Sequence, residues 1–159
     1  MQAKHPMTER VRSEIRMFSK NRKDISPVIE NYSLKDEDLT NCIIKTFNRV
    51  GDDLTNINFA KSVIGEEGKI TNLCGCNFMN SNFSDVVFLG TIWFRRANLR
   101  NCNFTRAFMP NVEYQYADIR NIRVCSAVMR IGSDEGMGAL ADISFFEQLK
   151  QAWNIFKKE

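Results

Sequence analysis

Residues 71–88 read TNL CGCNF MNSNF SDVVF, and after a one-residue slip near Trp93–Phe94 the chain continues at 94–104 as FRRANL RNCNF. A large apolar residue closes each unit: Leu73, Phe78, Phe83, Phe88, Leu99 and Phe104. Two positions earlier stands a smaller one: Thr71, Cys76, Ser81, Val86, Ala97 and Cys102. Asn72, Asn77, Asn82, Asn98 and Asn103 lie between them. The period is five. Strand alternation repeats every two residues and an amphipathic helix every three or four, so neither fits. Two inward positions per five residues require a backbone that turns after each short extended piece. One such unit cannot bury its face alone, so the units must wind into a coil and stack.

The frame extends in both directions. Upstream, Leu34, Leu39 and Ile44 keep the spacing, Arg49 is a misfit whose gap Phe47 fills, and Leu54, Phe59 and Ile64 resume it. Gly65-Glu66-Glu67-Gly68 has no apolar filler and reads as a loop excursion that replaces one unit. Downstream the frame runs through Met109, Tyr114, Ile119, Val124 and Met129. The chain therefore divides into a leader at 1–33, a repeat solenoid at 34–131 and a tail at 132–159. In the leader, Val11, Ile15 and Phe18 recur at helical spacing after the N-cap candidate Thr8, predicting a helix over Thr8–Lys20. Solenoid ends need covering, so this helix is expected to cap the core; its basic residues make a partner-touching arm the alternative. In the tail, GSDEGMG at 132–138 is a linker by composition. Ser144 and Glu147 stand at capping-box spacing, and Phe145, Leu149, Ala152, Trp153 and Phe156 share one helical face.

The totals agree with one domain. A chain of 159 residues with 43% apolar content can build a continuous core. Twelve Phe against two Trp and three Tyr suit a repeated buried slot that offers no hydrogen-bond partner. The five Cys, an odd number with no apolar signal core before them, predict reduced thiols in a cytoplasmic setting. No apolar run is long enough to span a bilayer. The single His5 stands alone, so no Ser–His pair, His-carboxylate cluster or metal set can be assembled, and no phosphate-cradling Gly motif occurs. The expectation is no enzyme, no cofactor and no metal.

The pattern of small residue, Asn or Asp, Leu or Phe and two polar residues resembles the pentapeptide-repeat proteins. CNF at 76–78, SNF at 81–83, ANL at 97–99, CNF at 102–104 and ADI at 117–119 carry the resemblance. It implies an all-β solenoid: a right-handed quadrilateral parallel β-helix, here flanked by N-terminal and C-terminal α-helices. Four units to a coil would stack Phe59, Phe78, Leu99 and Ile119 on one side and Ile64, Phe83, Phe104 and Val124 on the next. Asn58, Asn77, Asn98 and Asp118 would then form an outer polar ladder. A left-handed hexapeptide helix, as in acyltransferases, is excluded by the period and by the lack of metal-binding His.

Function must be sought on the outside of such a coil. The stretch 34–85 is net acidic and 86–131 net basic, through Arg95, Arg96, Arg100, Arg106, Arg120, Arg123 and Arg130. Arg95, Arg96, Arg100 and Arg120 form the candidate site for an anionic partner, an acidic protein surface rather than a nucleic-acid backbone; Arg in place of Lys leans toward a specific interface. Val87, Leu89, Phe108 and Val128 fall at outward slots and need a cover. Phe145, Leu149, Trp153 and Phe156 supply one, on the same chain or across a homodimer, which the family resemblance implies. The leading expectation is a non-catalytic interaction or scaffold protein, or a structural subunit of a larger assembly, with no membrane partner. The alternative implied by the resemblance is a DNA mimic binding a type II topoisomerase such as gyrase, a role that calls for a strongly acidic exterior.

Overall fold

The computed structural model describes residues 4–131. Helix α1 (Glu9–Lys20) starts where the Thr8 hydroxyl accepts a hydrogen bond from the Val11 N–H at 3.4 Å. Glu9 in its first turn and Lys20 in its last complement the helix dipole. Helix α2 (Ser26–Ile29) carries Pro27 in its first turn, where no N–H is needed. Val11 and Ile15 of α1 and Ile29 of α2 are buried in one core with Leu34 and Leu39. The helices thus close one end of the solenoid. The helix expected beyond Ser144 lies outside the described residues.

The rest is an all-parallel β-solenoid. Strands β1 (Ile43–Ile44), β2 (Val63–Asn72), β3 (Val87–Trp93), β4 (Phe108–Glu113) and β5 (Val128–Ile131) pair in sequence order. One ladder holds Ile43, Val63, Val87, Phe108 and Val128 in register, and a second holds Asn72, Trp93 and Glu113. Two more are single-residue bridges, Asp53–Asn77–Asn98–Asp118 and Asp38–Asn58–Asn82–Asn103–Arg123. Four ladders make four sides to each coil.

The corners explain why the sequence folds this way. The Ser81 N–H donates to the Phe78 carbonyl at 3.0 Å, and Cys102 to Leu99 at 3.1 Å, closing a β-turn after each large residue. The third turn residue has positive φ, as at Asn80 (63°), Asn101 (59°) and Asn121 (57°). That conformation is tolerated best by Gly and Asn. The small residue after the turn re-enters the core, its neighbour bridges to the next coil, and the large residue fills the interior. Phe59, Phe83 and Phe104 stack one above another, with ring centroids 5.4 and 4.7 Å apart. Phe78 and Phe94 meet edge to face at 5.7 Å.

Two sequence expectations are corrected. The excursion does not replace a unit; it lengthens one corner within β2, where the pairing with β3 shifts between Gly65 and Ile70. Columns below it therefore move by one side. Phe59 lies beneath Phe83 rather than Phe78, Leu54 beneath Phe78, and Asn58 belongs with Asn82, while Asp53 continues the ladder of Asn77. The slip assigned to Trp93–Phe94 is located earlier, between Val87 and Thr91, around Gly90. Above the excursion the expected columns hold.

Candidate functional site

With the core filled by the repeats, the outward positions form distinct faces. The first is a carboxamide face. Successive corner residues donate along the axis: Asn121 to Asn101 at 3.3 Å, Asn101 to Asn80 at 2.9 Å, Asn80 to Asn56 at 3.3 Å, and Asn56 to Asp36 at 2.7 Å. A second ladder runs from Asn103 to Asn82 at 3.3 Å and from Asn82 to Asn58 at 3.0 Å. Between them a shallow polar groove is lined by Asn80, Asn82, Asn101, Asn103 and Arg123. Of the outer ladder read from the sequence, Asn77, Asn98 and Asp118 hold and Asn58 does not. The corner ladder was missed, although Asn recurs at 56, 80, 101 and 121.

The arginines occupy the neighbouring corners, and the chain neutralises most of them itself. Arg95 grips Glu113 with Nε at 2.8 Å and a second guanidinium N–H, and stacks over Trp93 with its guanidinium 4.7 Å from the ring centroid. Arg120 donates through Nε to Asp118 at 2.8 Å and through a second N–H to its other oxygen. Arg100 stands next to the same carboxylate, its Nε 4.0 Å away and without a hydrogen-bond partner. Arg106, outside the expected set, makes a two-pronged pair with Asp85 at 2.6 and 2.7 Å. Hydrogen bonds from Arg120 hold the Asp118 carboxyl below its ordinary pKa, and those from Arg106 do the same for Asp85. Arg96 is exposed at a corner with φ 58°. Among the described residues, neither it nor Arg123 has a carboxylate at ion-pair distance. Among the described residues the expected basic face is therefore a mixed-charge surface, with Arg96 and Arg123 as its unmatched cations and Arg100 half engaged.

The third face is apolar. Val87, Phe108 and Val128 stack on one outward column as expected, and Ile43 and Val63 extend it downward. Phe108 is 41% exposed, and Leu89 flanks the column half-buried. Ile70, which sequence reasoning missed, is 48% exposed on the excursion around the next corner. Gly65 and Gly90 permit that excursion: a Cβ on Gly90 would meet the Lys69 and Glu66 carbonyl oxygens at 2.3 and 2.4 Å. Phe145, Leu149, Trp153 and Phe156 lie outside the described residues.

Arg49, the misfit of the repeat, is buried and has a structural task. Its guanidinium donates to the Tyr32 carbonyl at 3.1 Å, to Asp52 at 3.2 Å and to the Ile29 carbonyl at the end of α2. It ties the terminal helices to the first coils. Phe47 is also buried, with the Arg49 guanidinium 5.6 Å from its ring centroid. Among the described residues, no three His, Cys, Asp or Glu side chains gather as a metal site requires, and no helix is long and apolar enough to cross a membrane.

The family model for pentapeptide repeats matches residues 94–130 in 8 copies. No curated protein matches the chain. Among solved structures, the pentapeptide repeat protein Rfr23 from the cyanobacterium Cyanothece 51142 is 15% identical with a TM-score of 0.34, covering 67% of this chain and 88% of its own. QnrB1, a plasmid-mediated fluoroquinolone resistance protein, is 13% identical with a TM-score of 0.27, covering 74% of this chain and 68% of its own. The five-residue unit recognised at 94–130 is the unit that forms one side of each coil here, corner, bridge and inward pair included. Residues 94–130 of this chain are thus similar to the pentapeptide repeats.

Proposed function

We propose that the chain is a non-catalytic interaction protein, a rigid solenoid that presents a patterned outer face to a protein partner, alone or within a larger assembly. The observation that carries this reading is the internal pairing of the arginines. Arg95 is matched by Glu113, Arg106 by Asp85, and Arg100 and Arg120 share Asp118. A phosphate backbone is held by arginines free to reach it, and here Arg95, Arg106 and Arg120 are already tied to carboxylates of the same chain. A protein surface carries both signs, and fixed guanidinium–carboxylate pairs interleaved with carboxamides suit it in register and hydrogen bonding. Exposed Arg96 and the partly exposed side chain of Arg100 are the points at which an acidic residue of the partner would dock. The right-handed coil belongs to the same reading, because parallel crossover connections of L-residues are almost always right-handed. The free cysteines support a reducing, cytoplasmic setting.

The test pairs two assays on the full chain. In affinity capture from the native host, a protein retained by the wild type and lost by Arg96→Glu/Arg100→Glu is the expected result. Salt-sensitive binding of DNA or RNA, lost in the same variant, would overturn it. The DNA-mimic role would require an acidic exterior, whereas this chain carries a net charge of +3. A gyrase supercoiling assay is accordingly expected to show no inhibition at micromolar protein.

A further inference from the structure

We propose that the carboxamide groove is a binding site for an acidic, β-linked oligosaccharide. The inference goes beyond the protein-binding reading, which rests on the arginines of the neighbouring corners.

The walls of the groove have hydrogen-bonding groups to spare, and most are donors. A carboxamide has two N–H donors and an oxygen that accepts twice. The Asn82 oxygen takes the Ser84 N–H at 3.1 Å and an Asn103 N–H at 3.3 Å, while one Asn82 N–H goes to Asn58 at 3.0 Å. The Asn103 oxygen takes the Thr105 N–H at 3.1 Å and the Thr105 hydroxyl at 2.6 Å. Among the described residues, Asn82 and Asn103 are each left with one N–H and no acceptor. Asn80 and Asn101, on the opposite wall, spend one N–H and one lone pair along their ladder and keep one of each. Arg123 continues the Asn82–Asn103 wall; it is exposed, with no carboxylate at ion-pair distance among the described residues. Excess donors and one positive charge call for a ligand rich in acceptors and negatively charged. The backbone and ladder bonds fix these amides before any ligand arrives, so little freedom is lost on binding.

Shape narrows the class. Between the walls Ser81, Cys102 and Ile122 turn inward and are buried, so the floor is bare backbone. The groove over these coils has a volume of about 630 Å³, within the range of small-ligand sites. A β-linked pyranose chain is a flat ribbon with polar groups on both edges and C–H faces between them. Its repeat is close to one coil, about 4.8 Å, so a chain laid along the axis places one sugar on each coil. An extended peptide presents like groups only every second residue, about 6.6 Å apart, and loses step after one coil. Carboxylates on the sugar rings meet Arg123 and the unused N–H groups.

The probe is a short β-1,4-linked mannuronate oligomer, titrated calorimetrically into the full chain at low salt, with a cello-oligosaccharide of equal length as the neutral control. Saturable binding of the acidic oligomer, and weaker binding of the neutral one, is the expected result. Asn103→Asp keeps an oxygen for the Thr105 N–H, as Asp118 does for the Arg120 N–H, and removes the donor. It should weaken binding about tenfold with the far-ultraviolet circular dichroism unchanged. Arg123→Gln should erase the preference for the acidic oligomer. Absence of heat at millimolar oligomer would overturn the proposal, as would equal binding of the neutral chain. Binding that neither substitution alters would do the same. A host protein captured by the wild type and lost with Asn103→Asp would assign the groove to a protein partner and overturn it too.

Discussion

At the scale of single residues, the corner decides where the chain can be improved and where it cannot. Asn80, Asn101 and Asn121 tolerate the left-handed turn and are bonded to one another through it. Tyr116 adopts the same conformation, φ 59°, while 63% exposed. Its counterparts one and two coils below are Arg96 and Gly75, also with positive φ. A β-carbon there is strained by about 1 kcal/mol, so Tyr116→Gly is expected to raise stability by about that amount in urea titration. The cysteines give a second expectation. Burial pushes Cys42 up to about 11 and Cys76 and Cys102 up to about 12. Their folded pKa values lie above those of the unfolded chain, so the stability they contribute is complete below the ordinary thiol pKa. It is lost as pH rises through the folded values, by at most about 1.4 kcal/mol per pH unit for each buried thiol. At pH 8 a thiol reagent should label exposed Cys125 first and reach Cys76 and Cys102 only on unfolding.

At the scale of elements, β2 and β3 show what sequence reading can and cannot deliver. The inward residues Phe78, Phe83, Phe88, Leu99 and Phe104 were legible because burial repeats with the chain's own period. The side on which Phe59 stacks was not, because an excursion that lengthens a corner and one that replaces a unit leave the same local pattern. Only the pairing of Asn58 with Asn82 distinguishes them. The arginine partners were hidden for a related reason. Glu113 is 18 residues from Arg95 and Asp85 is 21 from Arg106, separations that mean nothing until the coil length is known. The excursion itself depends on Gly90. Gly90→Ala would drive a methyl group into two carbonyl oxygens at positive φ, a backbone conflict of about 1–3 kcal/mol. The expected result is a lower melting temperature and faster hydrogen exchange confined to Gly65–Ile70, with the amides of the Asn77–Asn98 ladder unchanged. Uniform loss of protection would contradict this picture.

At the scale of the whole molecule, mechanism and architecture separate. The terminal helices close one end and Arg49 pins them to the coil. The aromatic stack holds the middle, and the charged, carboxamide and apolar sides are independent surfaces on one shaft. Asn98 pairs with Asp118 and Asn103 with Arg123, each twenty residues on, and that shared offset has a consequence for how the protein can change in length. Residues Arg100–Asn101 of one coil have the same identity and place as Arg120–Asn121 of the next. Excision of 100–119 would join Leu99 directly to Arg120 and leave a turn, a bridge and an inward Val in phase. The shortened chain is expected to fold cooperatively with a lower melting temperature, having lost one coil and one interface. A protein built this way has no indispensable centre: like a spring cut to measure, it can be shortened by whole turns and keep its form.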